Sequence, residues 1–273
     1  MTTPIIERSR SFNAVAAGQT ATIDLPTTRI YRGLRLLYGT GTAGGPTRAN
    51  MEAEVTEIRI KVNGKVQRRF SAAQLFAINA YHGKAVEDGI LPIFFAEPWR
   101  RTVQGEDGLA WGMADVDTFQ VEVDIAAGAT NPTLDADAIT LEGNLAMGPI
   151  TKWRQFVVPV SAVGIVNVST LPKTDAYFTI HCVSANITSV KVLVDRKEIV
   201  NAGAAVLQSL ADDQGFAWQT GYFHLDFSNS RRVTNVLQMT VPGAGRVSDY
   251  QIDFDMAVAA NFTMLTEVVG LRD

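Results

Sequence analysis

Two short stretches carry the side chains with the clearest chemical potential. Gln120, Glu122 and Asp124 alternate with Val121, Val123 and Ile125, and Gln251, Asp253 and Asp255 alternate with Ile252, Phe254 and Met256. A period of two places the polar groups on one face of a β-strand and the apolar ones on the other. Paired carboxylates can run glycoside hydrolysis or hold calcium. They equally describe a solvated sheet face or a subunit contact, which is the preferred reading. The loop acids of Asp135-Ala-Asp137 and Gly105-Glu-Asp-Gly108 could bind a cation, but neither has the ligand spacing of an EF-hand.

Gly39-Thr-Gly41-Thr-Ala-Gly44 satisfies G-x-G-x-x-G. That motif binds a dinucleotide only where its last glycine opens a helix inside a βαβ unit. Gly45-Pro46, a short stretch and another strand follow, which leaves no room for a crossover helix, so a flexible loop is expected. His82, His181 and His224 are scattered and show no metal-ligand spacing. No serine sits in a nucleophile elbow. Cys182, the only cysteine, lies in the apolar run Tyr177-Phe-Thr-Ile-His-Cys-Val183 and reads as a buried thiol. Arg100-Arg101 and Arg231-Arg232 read as surface or interface charges. Trp99, Trp111, Trp153 and Trp218 read as core or interface residues, with a sugar-stacking platform as the sharper alternative. No catalytic, cofactor-binding or metal residue is assigned, and no cofactor is expected.

The elements that carry these residues occur twice. Thr56-Glu-Ile-Arg-Ile-Lys-Val62 followed by Asn63-Gly64 returns 132 positions on (from 56 to 188) as Thr188-Ser-Val-Lys-Val-Leu-Val194 followed by Asp195-Arg196. Asn-Gly is a strong hairpin-turn signal. Each copy then enters a short helix, with Leu75 and Ile78 answered by Leu207 and Leu210 and with Ser71 and Asn201 as N-caps. Gly18, Leu25-Pro26, Thr28 and Tyr31 match Gly164, Leu171-Pro172, Thr174 and Tyr177 at an offset of 146, and Phe119–Ala126 matches Tyr250–Ala257 at 131. Three matches in one order indicate a tandem duplication. The fall from 146 to 132 places about 14 extra residues in the first copy between Tyr31 and Thr56, where the glycine-rich loop sits.

Residues 1–10 read as an N-terminal arm, 11–146 as a first domain and 147–273 as a second, with 144–151 as the linker. Residues 97–116 read as irregular loop. Phe156–Val168 and Val233–Val241 read as strands. Each copy then holds seven or eight short strands and one short helix, which suits an antiparallel two-sheet sandwich. The helix shared by both copies and the lack of a Cys–Trp–Cys framework favour a jelly roll over an immunoglobulin-like fold. The fold class expected is therefore all-β, a tandem double jelly roll of two eight-stranded antiparallel sandwiches. A net charge of −4 argues against a general nucleic-acid binder. Charged residues make up 19% of the chain against roughly 25% in typical soluble domains, which fits a surface hidden in contacts with other chains. Neither a signal peptide nor a bilayer-length apolar run is apparent, so a soluble protein made in the cytoplasm is expected.

Val15-Ala-Ala-Gly18, Leu25-Pro26, the strand–turn–helix from Ile58 through Asn63-Gly64 to Leu75 with its second-copy counterpart, and Gly221-Tyr-Phe-His-Leu-Asp-Phe227 together resemble the major capsid proteins of corticovirus-type tailless bacteriophages. The resemblance implies a virion protein without enzymatic activity, assembled in the host cytoplasm. It implies a homotrimer forming a pseudo-hexameric capsomer that tiles an icosahedral shell around an internal membrane. The implied partners are neighbouring capsomers, penton and minor capsid or membrane proteins, and the internal lipid membrane, without sequence-specific nucleic-acid binding. The Met1–Arg10 arm would then lie at an inter-subunit or membrane-facing surface. The rival is a carbohydrate-binding or glycan-processing double β-sandwich that uses the tryptophans and the strand carboxylates.

Overall fold

A computed structural model describes residues 3–8, 11–100, 102–228, 232, 234–241 and 245–273. It divides into two compact units, residues 1–153 with 271–273, and residues 154–270. The elements of the first are β1 (Ile5–Arg8), β2 (Thr20–Leu25), β3 (Ile30–Gly39), α1 (Arg48–Glu54), β4 (Val55–Val62), β5 (Lys65–Phe70), α2 (Ala72–Tyr81), β6 (Ile90–Phe94), α3 (Val103–Asp107), β7 (Trp111–Gly112), β8 (Phe119–Ile125) and β9 (Thr133–Leu141). Strand β10 (Ile150–Val158) begins in the first unit and ends in the second. The second unit continues with β11 (Gly164–Val168), β12 (Ala176–Val183), β13 (Ile187–Val194), β14 (Lys197–Gly203), α4 (Ala204–Asp213), β15 (Phe223–Asp226), β16 (Thr240–Val241), β17 (Gly245–Arg246), β18 (Tyr250–Met256) and β19 (Phe262–Gly270).

The first unit pairs its strands in the orders β1-β9-β3-β6 and β5-β4-β8-β2, and the second in the orders β10-β19-β12-β15 and β14-β13-β18-β11. With the short β7, β16 and β17 set aside, the described strands of each unit number eight, in sheets ordered 1-8-3-6 and 2-7-4-5. This is the jelly-roll order, produced twice. The alternation read from sequence explains the registers. Ile58, Ile60 and Val62 face inward opposite Val123, Val121 and Phe119, and Val190 and Val192 meet Phe254 and Ile252 in the same way.

Several matched residues owe their repetition to one hydrogen bond each. The Tyr31 hydroxyl donates to the Pro26 carbonyl at 2.8 Å, and that of Tyr177 to the Pro172 carbonyl at 2.6 Å. The Thr56 hydroxyl donates to the Asp124 carbonyl and the Thr188 hydroxyl to that of Asp255, each at 3.1 Å. In the turns, Asn63 and Gly64 have φ of 49° and 75°, and Asp195 and Arg196 of 48° and 66°. Both first turn residues also reach across to the strand on the other side. Asn63 Oδ1 accepts from the Asp117 and Thr118 amides at 2.9 and 3.0 Å, and Asp195 Oδ1 accepts from those of Ser248 and Asp249 at 2.9 Å each.

The structure corrects several expectations. Residues 48–54, read as too short for a helix after the glycine-rich loop, form α1, capped by the Thr47 hydroxyl accepting from the Asn50 amide. Because α3 also lies within the supposed irregular loop 97–116, the described part of the first unit holds three helices rather than one. Part of the expected arm, Ile5–Arg8, is an edge strand paired with β9 from Ile5↔Thr140 to Arg8↔Asp137, so its alternation is that of a strand with one outward face. Pro159 and Gly164 break the 156–168 run into β10 and β11. In the expected strand 233–241, residue 233 lies outside the described residues and only Thr240–Val241 is a strand. Ser71 caps α2 in a capping box with Gln74, whereas Asn201 lies in β14 and the N-cap of α4 is Gly203, which has no side chain to cap with. The units part at Trp153/Arg154 rather than at 146/147. Residues 271–273 return to the first unit, where Lys152 Nζ donates to the Leu271 carbonyl at 2.8 Å and to Asp273 Oδ1 at 2.9 Å.

The paired turns give a clean test of backbone strain. Arg196 holds a left-handed conformation that its counterpart, Gly64, adopts without a steric penalty, and a Cβ on Gly64 would touch nothing within 4 Å. Arg196→Gly is expected to raise stability by about 0.5–1 kcal/mol and Gly64→Ala to lower it by about 1 kcal/mol. Shifts in the urea midpoint at constant slope would measure both.

Candidate functional site

The first unit's strand carboxylates, Glu122 and Asp124, assemble into a saturated ion network centred on Arg59. This side chain lies on the outer face of β4, between β8 and the residues of β5. Its guanidinium bonds Asp124 through two nitrogens at 2.6 and 2.8 Å, Glu122 at 2.8 Å, and Glu57. Lys61 takes the second oxygen of Glu122, Arg69 pairs with Glu57 at 2.7 Å, and the Thr20 hydroxyl donates to Asp124 at 2.6 Å. The Arg59 guanidinium holds the Asp124 carboxyl below the usual range. Burial pulls Glu122 upward, but the bonds from Lys61 and Arg59 outweigh it and leave that carboxyl lowered as well. Hydrolysis by a carboxylate pair needs one partner raised and protonated near neutrality. Here both are held ionised, so the network is structural. In the second unit, Lys191 occupies the position of Arg59 and pairs with Glu198 at 3.3 Å, while Asn167 donates to Asp253 at 2.6 Å.

The glycine-rich loop is likewise tied down. Glu54, at the end of α1, accepts from the hydroxyls of Thr42 at 2.5 Å, Tyr38 at 2.7 Å and Thr40 at 3.3 Å. Burial raises the Glu54 carboxyl, yet those three donors win and hold it below its usual value. At the other end of α1, the Arg48 amide donates to Asp88 Oδ1 at 3.0 Å. A carboxylate thus sits where a dinucleotide phosphate would need to be. Since β3 and β4 belong to different sheets, the segment is not a βαβ unit. The acids expected in loops lie instead on α3 and β9: Glu106 and Asp107 pair with Arg32 at 2.7 and 2.9 Å and Asp135 with Arg8 at 3.5 Å, while Asp137 Oδ1 is buried without a hydrogen-bond partner among the described residues.

Two histidines that the sequence leaves 43 positions apart meet across β12 and β15. His181 Nδ1 and His224 Nδ1 lie 2.6 Å apart, and Glu267 Oε2 is 3.4 Å from His181 Nε2. The signal for this pair is cross-strand register, which no spacing rule reads. Among the described residues no group of three or more His, Cys, Asp or Glu side chains is arranged to hold a metal ion. His82 stacks on Trp99 with ring centroids 4.1 Å apart. Trp99, Trp111 and Trp153 are buried, and the half-buried Trp218 packs edge-on against Phe223 and His224. A sugar platform requires an open aromatic face, so these four serve packing. Cys182 is fully buried, and burial pushes its thiol up, away from the reactive thiolate. Arg100 pairs with Glu97 inside the fold; Arg101 and Arg231 lie outside the described residues.

Comparison with known proteins agrees with this geometry. The family "Viral coat protein P2 N-terminal domain" matches residues 6–142, and "Viral coat protein P2 C-terminal domain" matches residues 150–271. A search of curated sequences returns no match. Among solved structures, the fold is similar to the major capsid protein P2 from bacteriophage PM2, with a TM-score of 0.88 and 19% identity over 99% of this chain and 98% of that one. The STIV MCP gives a TM-score of 0.71 at 13% identity, over 98% of this chain and 97% of that one. The PBCV-1 virus capsid gives 0.67 at 10% identity, over 100% and 97%.

The Arg59 network has a predictable pH signature. Carboxyls lowered in the folded state contribute stability above their unfolded values, roughly 3.9 for Asp and 4.3 for Glu, and that contribution is lost as pH falls through the folded values. Arg59→Met is expected to cost about 1–3 kcal/mol at pH 7, given the partial burial of the cluster. The gap between wild type and variant should narrow below pH 4. Urea denaturation at a series of pH values would measure it.

Proposed function

The chain belongs to the viral coat protein P2 family, and from that membership we propose that it is the major capsid protein of a tailless icosahedral bacteriophage, built into the shell as a pseudo-hexameric homotrimer. As a coat protein it is structural, resides in the virion capsid and has no enzymatic role. The observation that supports the finer reading is the identical strand order of the two sandwiches within one chain. Three such chains around a closed threefold axis present six similar barrels and so fill a near-sixfold tile with one gene product. Neighbouring capsomers, penton and minor capsid or membrane proteins are the partners such a tile meets. An internal lipid membrane is the further surface it faces, with the Met1–Arg10 segment among the candidates for that side.

The distribution of polar chemistry favours this reading over glycan binding or processing. Three of the four tryptophans are buried inside the sandwiches, and the first unit's strand carboxylates are neutralised within the sheet. The purified protein is expected to run in size-exclusion chromatography with light scattering as three chains of 29.6 kDa each. A persistent monomer, or retention on a glycan array, would turn the assignment towards the lectin alternative.

A further inference from the structure

A buried lysine of the first unit takes a counter-charge from residues that lie beyond the second unit in the chain. Lys152, on β10, has a side chain only 2% exposed. Its ammonium donates to the Leu271 carbonyl at 2.8 Å and to Asp273 Oδ1 at 2.9 Å. Two further contacts of this tripeptide fall on the same unit. The Asp273 amide donates to Gln67 Oε1 at 3.1 Å, and Arg272 pairs with Asp115 at 2.9 Å. Gln67 is the extra residue of a bulge in β5, between the pairs Ile60↔Arg68 and Lys61↔Val66, and it is buried. A bulge re-aims a side chain out of the ladder pattern, which lets this one meet the tripeptide. Asp115 is itself fixed: its Oδ1 accepts from the Met147 amide at 2.7 Å. That bond, and then the charge of Arg272, hold its carboxyl below the usual range.

We propose that residues 271–273 are a locking strap, which completes the first unit only after the chain has run through the whole of the second. Stripping an ammonium of water is costly unless a carboxylate and further acceptors replace the lost solvent. Until residue 273 is in place, Lys152 lacks one carboxylate and one carbonyl of its set, and Gln67 Oε1 lacks an amide. The start of β10 and the bulge of β5 beside it, joined through Trp153↔Arg68, are then the part of the first unit that opens most readily. The pairing of β4 with β8 needs nothing so late, since it is made by residues 55–125. A chain cut short inside the second unit therefore carries a first unit with this corner loosened. The strap makes the stability of one barrel report on the completeness of the other, whatever the two barrels assemble into.

The test is hydrogen–deuterium exchange read by mass spectrometry. It compares the full chain with a chain ending at residue 270, Asp273→Ala, Lys152→Met, and Lys152→Met combined with Asp273→Ala. Loss of the strap, or of the Asp273 carboxylate alone, is expected to speed exchange in β5 and at residues 150–153 roughly tenfold or more, with β13 and β18 unchanged. Without the lysine charge, the Asp273 substitution is expected to lose most of its effect. In pulse-labelled refolding of the full chain, β5 gains its final protection no earlier than β19. Unchanged exchange in β5 without the strap overturns the proposal. Equal loosening of β13 and β18 overturns it too, by making the tripeptide a support of the whole fold. So does an Asp273→Ala effect undiminished beside Lys152→Met, or a β5 completed before β19. Should the shortened chain or the lysine variant fail to fold, the exchange map of Asp273→Ala decides alone.

Discussion

A buried phenol closes each of these sandwiches. The chain leaves one sheet at β2 or β11 and must cross to the other at β3 or β12, and the crossing contains Pro26 or Pro172. Proline fixes its own φ and offers only a carbonyl, so the crossing is stiff and needs a donor from elsewhere. Tyr31 and Tyr177 supply it from the strand that follows. Their rings then pack on Phe119 and Tyr250, at centroid distances of 4.9 and 5.2 Å, which open strands of the opposite sheet. One side chain thus ties the crossing loop to both layers. Burial pushes both phenols up, so each remains a donor throughout the physiological range.

The hairpin turn is the second anchor, and it works at a distance from its own strands. A residue at positive φ projects its side-chain oxygen towards the chain entering β8 or β18, where it satisfies two backbone amides. An Asn serves in one copy and an Asp in the other because either presents an acceptor at the same reach and both tolerate the left-handed region better than most residues. What must be kept is the oxygen, and the charge is incidental.

These contacts explain which parts of the architecture the sequence discloses. Tyr31 and Tyr177, Thr56 and Thr188, and Asn63 and Asp195 stand in corresponding places because each makes a bond that few residue types can make. They stand out in a self-comparison, and with them comes the alternating pattern of the core strands. Helix α1 is harder to see. It has seven residues, is held by contacts with α2 and β4, and follows glycines that signal only a loop. The meeting of His181 with His224 depends on how β12 and β15 align, which is a property of the sheet. The role of Arg59 is hidden for the same reason: its partners come from β8 and from within β4, and a charge on an outward strand position looks alike whether or not the sheet neutralises it. The difference between α2 and α4 is hidden because Leu207 and Leu210 form the same apolar pair as Leu75 and Ile78, and only solvent exposure distinguishes them.

The two copies share their core anchors and differ at their outer faces, and that asymmetry bears on what the chain is for. The phenol anchors, the turn oxygens and the inward valines and isoleucines recur. The outward-facing network around Arg59 has become a looser set around Lys191, and the first copy alone carries the α1 roof. An enzyme concentrates its specific chemistry at one cleft, where groups are held in costly protonation states. The carboxylates around Arg59 and at Glu54 are instead held ionised by partners within the same unit, which stabilises barrels and leaves little to react. A coat needs barrels alike enough to occupy equivalent places and unlike enough at their surfaces to recognise different neighbours. Duplication that keeps the shared anchors while the outer faces change satisfies both demands, because the core contacts that define the jelly roll are independent of the residues that meet another subunit.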